Sequence, residues 1–224
     1  MSPLVLMRLH VDALYRHDAR SRMVCSNEWR PSPAPLFFLG RTRQGSIWRF
    51  RADLPEELCA ELEALGERES EIARLLESHA PIERIWTGPA YALLQPARPA
   101  ADAVAIGAAN ADLLRGGFDA WLDDVPHRQP FLAVIEDGRA VSLCASVRIL
   151  SSAHEAGVET LPAFRERGHA ASAVAAWAEA VRRSGALPLY STSSDNAASQ
   201  RVAAKLGATQ FGVDFHVSGG RPSD

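Results

Sequence analysis

Val158-Glu159-Thr160-Leu161-Pro162-Ala163-Phe164-Arg165-Glu166-Arg167-Gly168-His169-Ala170 is the stretch on which the reading of this chain turns. It leaves an apolar strand, Gly157 to Pro162, passes a turn with one glycine, and enters an alanine-rich helix from Ala171 to Ser184 that stops at Gly185. Amides at a helix start have no intrahelical acceptor, and the helix dipole adds partial positive charge there, so such a turn attracts phosphate. Gly168 permits a tight turn and close approach to a ligand, Ala170 keeps the next contact small, and Arg165 and Arg167 offer charge-assisted contacts to an anion. Within the helix, Val174, Trp177 and Val181 recur three and four residues apart, giving one bulky stripe; its other face is packed by small residues or open to water.

Outward from this turn the pattern alternates strands and helices. Upstream, Phe131 to Glu136, the turn Asp137-Gly138 and Ala140 to Ile149 form a hairpin signal, because Asp-Gly suits the two positive-φ positions of a tight hairpin turn. Ser151 to Ala156 reads as a polar break, and Leu113 to Leu122 as a helix. Downstream come a strand, Leu187 to Ser191, then a helix, Asn196 to Leu206, capped by Asp195 or Ser194 and ended by Gly207. A last strand, Phe211 to Val217, alternates large apolar residues with Gly212, Asp214 and His216. The glycines do not form Gly-x-Gly-x-x-Gly and the turn follows a hairpin strand, which disfavours a simple dinucleotide fold. A mixed α/β domain with a mainly antiparallel central sheet and flanking helices is expected instead.

The first 95 residues are harder to read. Leu36 to Gly40 and Ile47 to Phe50 read as strands around the turn Arg41 to Ser46, Glu56 to Leu65 and Ser70 to Ser78 as helices, and Tyr91 to Leu94 as a strand. Residues 96 to 104 suit a linker, so a boundary near residue 97 would separate an N-terminal α/β region, 1–96, from a second domain, 97–224.

Composition narrows the classes of function. A chain of 224 residues buries roughly 70% of its unfolded surface, enough to fold without disulfides or a metal. Its 24 Lys and Arg balance 27 Asp and Glu for a net charge of -3, with no basic concentration, so nucleic acid is not an expected partner. Cys25, Cys59 and Cys144 are odd in number and far apart, which argues against zinc and a disulfide framework and suits a reducing cytosol. No metal site is expected, since His154 and His216 lack ligand spacing. Nothing approaches 18 consecutive apolar residues and no cleavage pattern follows Met1 to Leu9, so neither a membrane span nor a secretory signal is expected.

Two linked stretches resemble the GNAT N-acetyltransferase superfamily over about residues 105–217. The run Val158 to Ala170 resembles its acyl-coenzyme A pyrophosphate loop, Arg or Gln, two residues, Gly, one residue, Gly or Ala. Asn196-Ala197-Ala198-Ser199 followed by Lys205-Leu206-Gly207 resembles its second signature, on the helix after the next strand. The resemblance implies acetyl-CoA as co-substrate, with its pyrophosphate on the amides of Arg167 to Ala170 and its pantetheine arm along Gly157 to Leu161. The thioester would then sit where this strand splays from Leu187 to Ser191. It implies cofactor contacts at Thr160, Leu161, Arg165, Arg167, Gly168, His169, Ala170, Asn196 and Ser199.

Transfer of an acetyl group to a primary amine by direct attack in a ternary complex needs a base, because an alkyl ammonium must first lose a proton. Glu159 and Glu155 are the candidate bases, on or just before the central strand; for each, a surface or structural salt bridge is the competing reading. The family's tyrosine on the second signature helix is replaced by Ala203, so the leaving-group acid falls to Tyr190 or Ser191, or is dispensable because a coenzyme A thiolate leaves readily. Ser142, Cys144 and Ser146 alternate along the hairpin strand as candidate lining of the acceptor cleft, and His169 is expected at the surface over the phosphates. Trp29, Trp48, Trp86 and Trp121 read as core or interdomain packing, or one of them as a wall of the acceptor pocket. The acceptor is a small-molecule or peptide amine, with residues 1–96 helping to shape its pocket. A catalytically weak acyl-CoA sensor or protein-interaction module is the alternative reading, and a purely structural domain a third.

Overall fold

The computed structural model describes residues 1–97 and 102–220. In chain order the elements are α1 (Pro3–Leu14), β1 (Tyr15–His17), β2 (Met23–Ser26), β3 (Phe37–Thr42), β4 (Gly45–Phe50), α2 (Glu56–Ala64), α3 (Glu69–His79) and β5 (Ile82–Ala92). There follow β6 (Ala103–Ala105), the 3₁₀ turns η1 (Ala111–Leu114) and η2 (Asp119–Asp124), β7 (Phe131–Glu136), β8 (Arg139–Ile149), β9 (Ala153–Thr160) and the 3₁₀ turn η3 (Pro162–Phe164). The chain ends with α4 (His169–Arg183), β10 (Leu187–Ser191), α5 (Ala197–Lys205) and β11 (Thr209–Gly219). Two compact units arise: Met1–Ala90 with Thr192–Asp195 and Phe211–Asp224, and Tyr91–Ser191 with Asn196–Gln210. The terminal strand, placed in residues 97–224 by the sequence reading, therefore belongs from Phe211 onward to the first unit.

In the first unit the strands run in the order β4-β3-β11-β5, with β3 antiparallel to both β4 and β11. Alternation along β3 divides two layers. Phe37 and Leu39 join Phe215, Val217 and the apolar faces of α2 and α3 in one core. Gly40 opens to α1, because a Cβ there would lie 2.4 Å from Met7 Sδ. Helix α1 begins with Ser2 accepting from the Val5 amide at 3.3 Å and with Pro3 in its first turn. On the α1 side, Asp214 of β11 is 1% exposed and lies 2.8 Å from His10 Nε2 and 3.2 Å from His216 Nδ1. Burial pushes the Asp214 carboxyl up, and the two histidine hydrogen bonds outweigh it and hold the group below the ordinary carboxylate range.

The second unit is a mixed, mainly antiparallel sheet in the order β10-β9-β8-β7-β6, with β9 parallel to β10. Its hairpin closes through Asp137 (φ 49) and Gly138 (φ 75), and Glu136 pairs with Arg139, so the expected turn forms. Helix α4 covers one face through Val174, Trp177 and Val181, and its small residues Ser172, Ala173 and Ala175 are buried as well. The other face is covered by η1 and η2, packed on Phe131, Leu143 and Leu161.

Three local expectations give way here. The helix expected over 113–122 is two 3₁₀ turns, because Gly116 adopts φ 77 between them. The polar break expected over 151–156 is already strand from Ala153, since pairing with both β8 and β10 overrides its weak propensity. Helix α5 is capped by Asn196, whose side chain accepts from the Ser199 amide at 3.0 Å, and not by Asp195 or Ser194. No helix of the described residues is long and apolar enough to cross a membrane.

Candidate functional site

The site in the second unit starts from an extra residue in β8. Ser146 pairs with Ala156 and Arg148 with Glu155, leaving Val147 as a bulge. A bulge bends its strand and increases local twist, often beside a functional site. Val147 packs where β9 has Gly157, and a Cβ at that glycine would lie 2.2 Å from Val147 Cγ1. Pairing between β9 and β10 ends at the same level, its last partners being Glu155 and Leu189, whereas β9 stays paired with β8 as far as Thr160. The two parallel strands thus separate beyond Glu155, and the β10-facing edge of Ala156 to Thr160 is an edge to which an extended group can add as a strand.

At the end of β9 the chain makes the turn that the sequence singled out. Glu166 (φ 63) and Gly168 (φ 89) adopt left-handed conformations, and Gly168 serves as the N-cap of α4. The first amide of this turn tied to the helix is that of Ser172, which donates to the Gly168 carbonyl at 3.1 Å; the amides of His169, Ala170 and Ala171 precede any intrahelical acceptor. Directly over the turn lies the ammonium of Lys205, from the last turn of α5: a Cβ on Gly168 would be 3.0 Å from its Nζ. Among the described residues no carboxylate pairs with Lys205. A cation beside the positive pole of a helix is unfavourable by itself, and an anion between them would satisfy both. A cavity of about 310 Å³ adjoins this point, lined by Ala171 and Ser172 of α4 and by Lys205, Leu206 and Gly207, with Pro96 and Ala97 completing the wall.

The other residues expected at the phosphates have varied surroundings. Arg165 Nε donates to the Thr160 carbonyl at 3.3 Å, and the Arg167 guanidinium lies 5.1 Å over the Phe164 ring and 3.9 Å from Glu136. His169 is buried, not on the surface as expected: its Nε2 lies 3.0 Å from Glu136 Oε1, near enough for an ion pair but not aligned for a hydrogen bond. The Thr160 hydroxyl is engaged with Ser142 Oγ at 2.7 Å, and Leu161 packs on the η1 and η2 side. Asn196 and Ser199 are joined to each other by the cap of α5, and Ser199 Oγ is bonded to the Tyr190 hydroxyl.

The candidate acid and bases separate by burial. Glu159 is exposed and its Oε2 accepts from Trp121 Nε1 at 2.6 Å, so it stands on the η2 side of β9. Glu155, the last residue of β9 paired with β10, is 2% exposed. Tyr190 is buried; burial pushes its hydroxyl up to about 12, against the opposing hydrogen bond from Ser199, so it stays protonated through the physiological range. Ala203 is buried in the core and supplies no hydroxyl. Cys144 lies under α4, and burial pushes its thiol well above the ordinary value. Ser142 and Ser146 are buried too, Ser146 Oγ lying 2.8 Å from His154 Nδ1 and accepting from Trp177 Nε1 at 3.0 Å. These three therefore do not line a cleft. Lys205, which the sequence reading quotes only within the second signature and gives no role, is a further functional candidate; its place over Gly168 depends on how α5 packs beside α4.

Comparison with known proteins finds a likeness to the family that the motifs resemble. Residues 131–211 match the family model described as GNAT acetyltransferase. No curated protein matches the chain. Among solved structures, a GCN5-related N-acetyltransferase-like protein from Streptococcus suis is 16% identical, aligns over 96% of this chain and 100% of its own, and gives a TM-score of 0.51. A GCN5-related N-acetyltransferase from Kribbella flavida is 18% identical over 98% of this chain and 95% of its own, again with a TM-score of 0.51. At these identities the likeness is one of fold. The stretch from the hairpin through the glycine turn and the helices after it, residues 131–211, is thus similar to the GNAT acetyltransferase family, and the chain has a GNAT-like fold.

Proposed function

We propose that the protein transfers an acetyl group from acetyl-CoA to a primary amine by direct attack in a ternary complex. The observation that carries this reading is Lys205, an ammonium without a carboxylate partner among the described residues, set over the left-handed Gly168 turn at the start of α4. That arrangement suits the pyrophosphate of the co-substrate, held by the amides of Arg167 to Ala170 and by Lys205. Arg165 and Arg167 add positive charge around it. The pantetheine arm pairs with the β10-facing edge of β9 from Ala156 to Thr160, which places the thioester where β9 and β10 part.

Glu159 takes a proton from the acceptor ammonium, directly or through water. The freed nitrogen bonds to the thioester carbonyl carbon, the C–S bond breaks, and the coenzyme leaves as a thiolate; the second proton that the nitrogen sheds in becoming an amide balances the one that the thiolate takes up. Tyr190 carries a proton at neutral pH and is the candidate donor, through Ser199. Glu155, buried at the point of strand separation, is the second candidate base. Saturable binding of acetyl-CoA by calorimetry, with an acetylated product found by mass spectrometry after incubation with a panel of amines and peptides, is the expected result; well-folded protein that binds no acetyl-CoA would refute it.

The buried Ala203, which supplies no hydroxyl, favours a second reading, an acyl-CoA-binding module with little turnover. Tight binding without product across the whole panel would decide for it.

A further inference from the structure

Trp121 of η2 is fixed from three directions. The Arg128 guanidinium lies 4.9 Å over its ring and is itself 3.2 Å from Asp124. Phe131 meets the indole edge-on, with centroids 5.8 Å apart at 89°. Gly157 makes room for the far edge of the ring, since a Cβ there would stand 3.3 Å from Trp121 Cη2. So held, the indole N–H donates to Glu159 Oε2 at 2.6 Å, a short, charge-assisted hydrogen bond. An exposed glutamate otherwise samples several rotamers, and a base that wanders is seldom placed for proton transfer.

We propose that Trp121 is a positioning residue for Glu159: its clamped indole N–H holds one carboxylate oxygen so that the other, Oε1, is presented to the acceptor ammonium. Gly157 then serves two neighbours, Val147 of the bulge and the indole, and the same missing side chain that accommodates the bulge lets the tryptophan lie against β9. This inference rests on the reading of Glu159 as the proton acceptor.

The test is a double-mutant cycle on the full chain. Trp121→Phe keeps an aromatic ring between Arg128 and Phe131 and removes the N–H. It is expected to lower kcat about tenfold, the scale of a hydrogen bond to a charged group, with KM for acetyl-CoA unchanged. In a Glu159→Gln background the same substitution is expected to cost nothing further, because no base is left for the indole to position. A full kcat in Trp121→Phe beside a crippled Glu159→Gln overturns the positioning role and leaves the transferase reading intact. Losses that multiply overturn it as well, since they mark a merely structural tryptophan. Full activity in Glu159→Gln refutes the assignment of the base, and the role of Trp121 falls with it. Should Trp121→Phe fold poorly, the indole ¹⁵N–¹H resonance of Trp121 provides a second measurement: it is expected to shift in Glu159→Gln, and a resonance that stays in place overturns the pairing irrespective of turnover.

Discussion

Replacing Lys205 by alanine removes one positive charge from the Gly168 turn and leaves the backbone of α5 intact. Its Nζ stands 3.0 Å from the point where a Gly168 Cβ would be, so a phosphate oxygen on the turn's amides would be about 4 Å from it, where a unit pair is worth about 1 kcal/mol in water and about 4 kcal/mol at an effective dielectric of 20. Lys205 is exposed, which puts the expected value near the lower limit. A loss of about 1–2 kcal/mol weakens acetyl-CoA binding roughly 5- to 30-fold. Lys205→Glu should weaken it further, by placing a negative charge against the phosphates. In the free protein the charge has opposing effects, favourable at the C-terminus of α5 and unfavourable at the N-terminus of α4, each of about 0.3–1 kcal/mol, so Tm should hardly move. Calorimetric titration with acetyl-CoA at about 50 mM and about 200 mM salt separates the contribution, because a screened ion pair makes the wild-type affinity fall more steeply with salt than that of Lys205→Ala. Equal affinities and equal salt slopes for the two proteins would refute the placement of the pyrophosphate at this turn.

Gly157→Ala should overpack the contact with Val147 by about 1–3 kcal/mol, lowering Tm by several degrees, and Val147→Ala should restore most of the loss; failure of the second substitution to rescue would show that the bulge is not what requires glycine. Asp214 has a depressed folded pKa, so its stabilisation is present above the ordinary carboxylate value of 3.8 and is lost as pH falls below that value through the folded one. Urea titrations through this range should show a steeper acid loss in the wild type than in Asp214→Asn, and parallel profiles would contradict the assignment. His154 is shifted down from 6.5 by burial, so the unfolded chain takes up a proton that the folded chain resists and stability falls as pH drops through 6.5. His154→Gln should flatten the slope of Tm between about pH 7 and about pH 5. Tyr190→Phe leaves Ser199 Oγ without its aromatic partner; a fall in kcat without a change in acetyl-CoA affinity would support proton donation, and an unchanged kcat would show that the thiolate leaves unaided.

What the sequence by itself determined lies where the physics is local. The Asp137-Gly138 turn, the glycine at the mouth of α4 and the end of α5 at Gly207 follow from backbone preferences that neighbouring residues set among themselves. Helix α1 has a local start signal in Ser2 and Pro3, yet its apolar face becomes recognisable only against Phe38 and Gly40 of β3. Tertiary structure decided the rest, since it depends on residues far apart in the chain: the bulge at Val147 against Gly157, the indole of Trp121 on Glu159, and Lys205 over Gly168. It also turned His169 inward and set Ser199 Oγ against the Tyr190 hydroxyl. A motif states which amides are free at a helix start, but the charge that meets them is set by packing between segments that carry no record of one another in sequence.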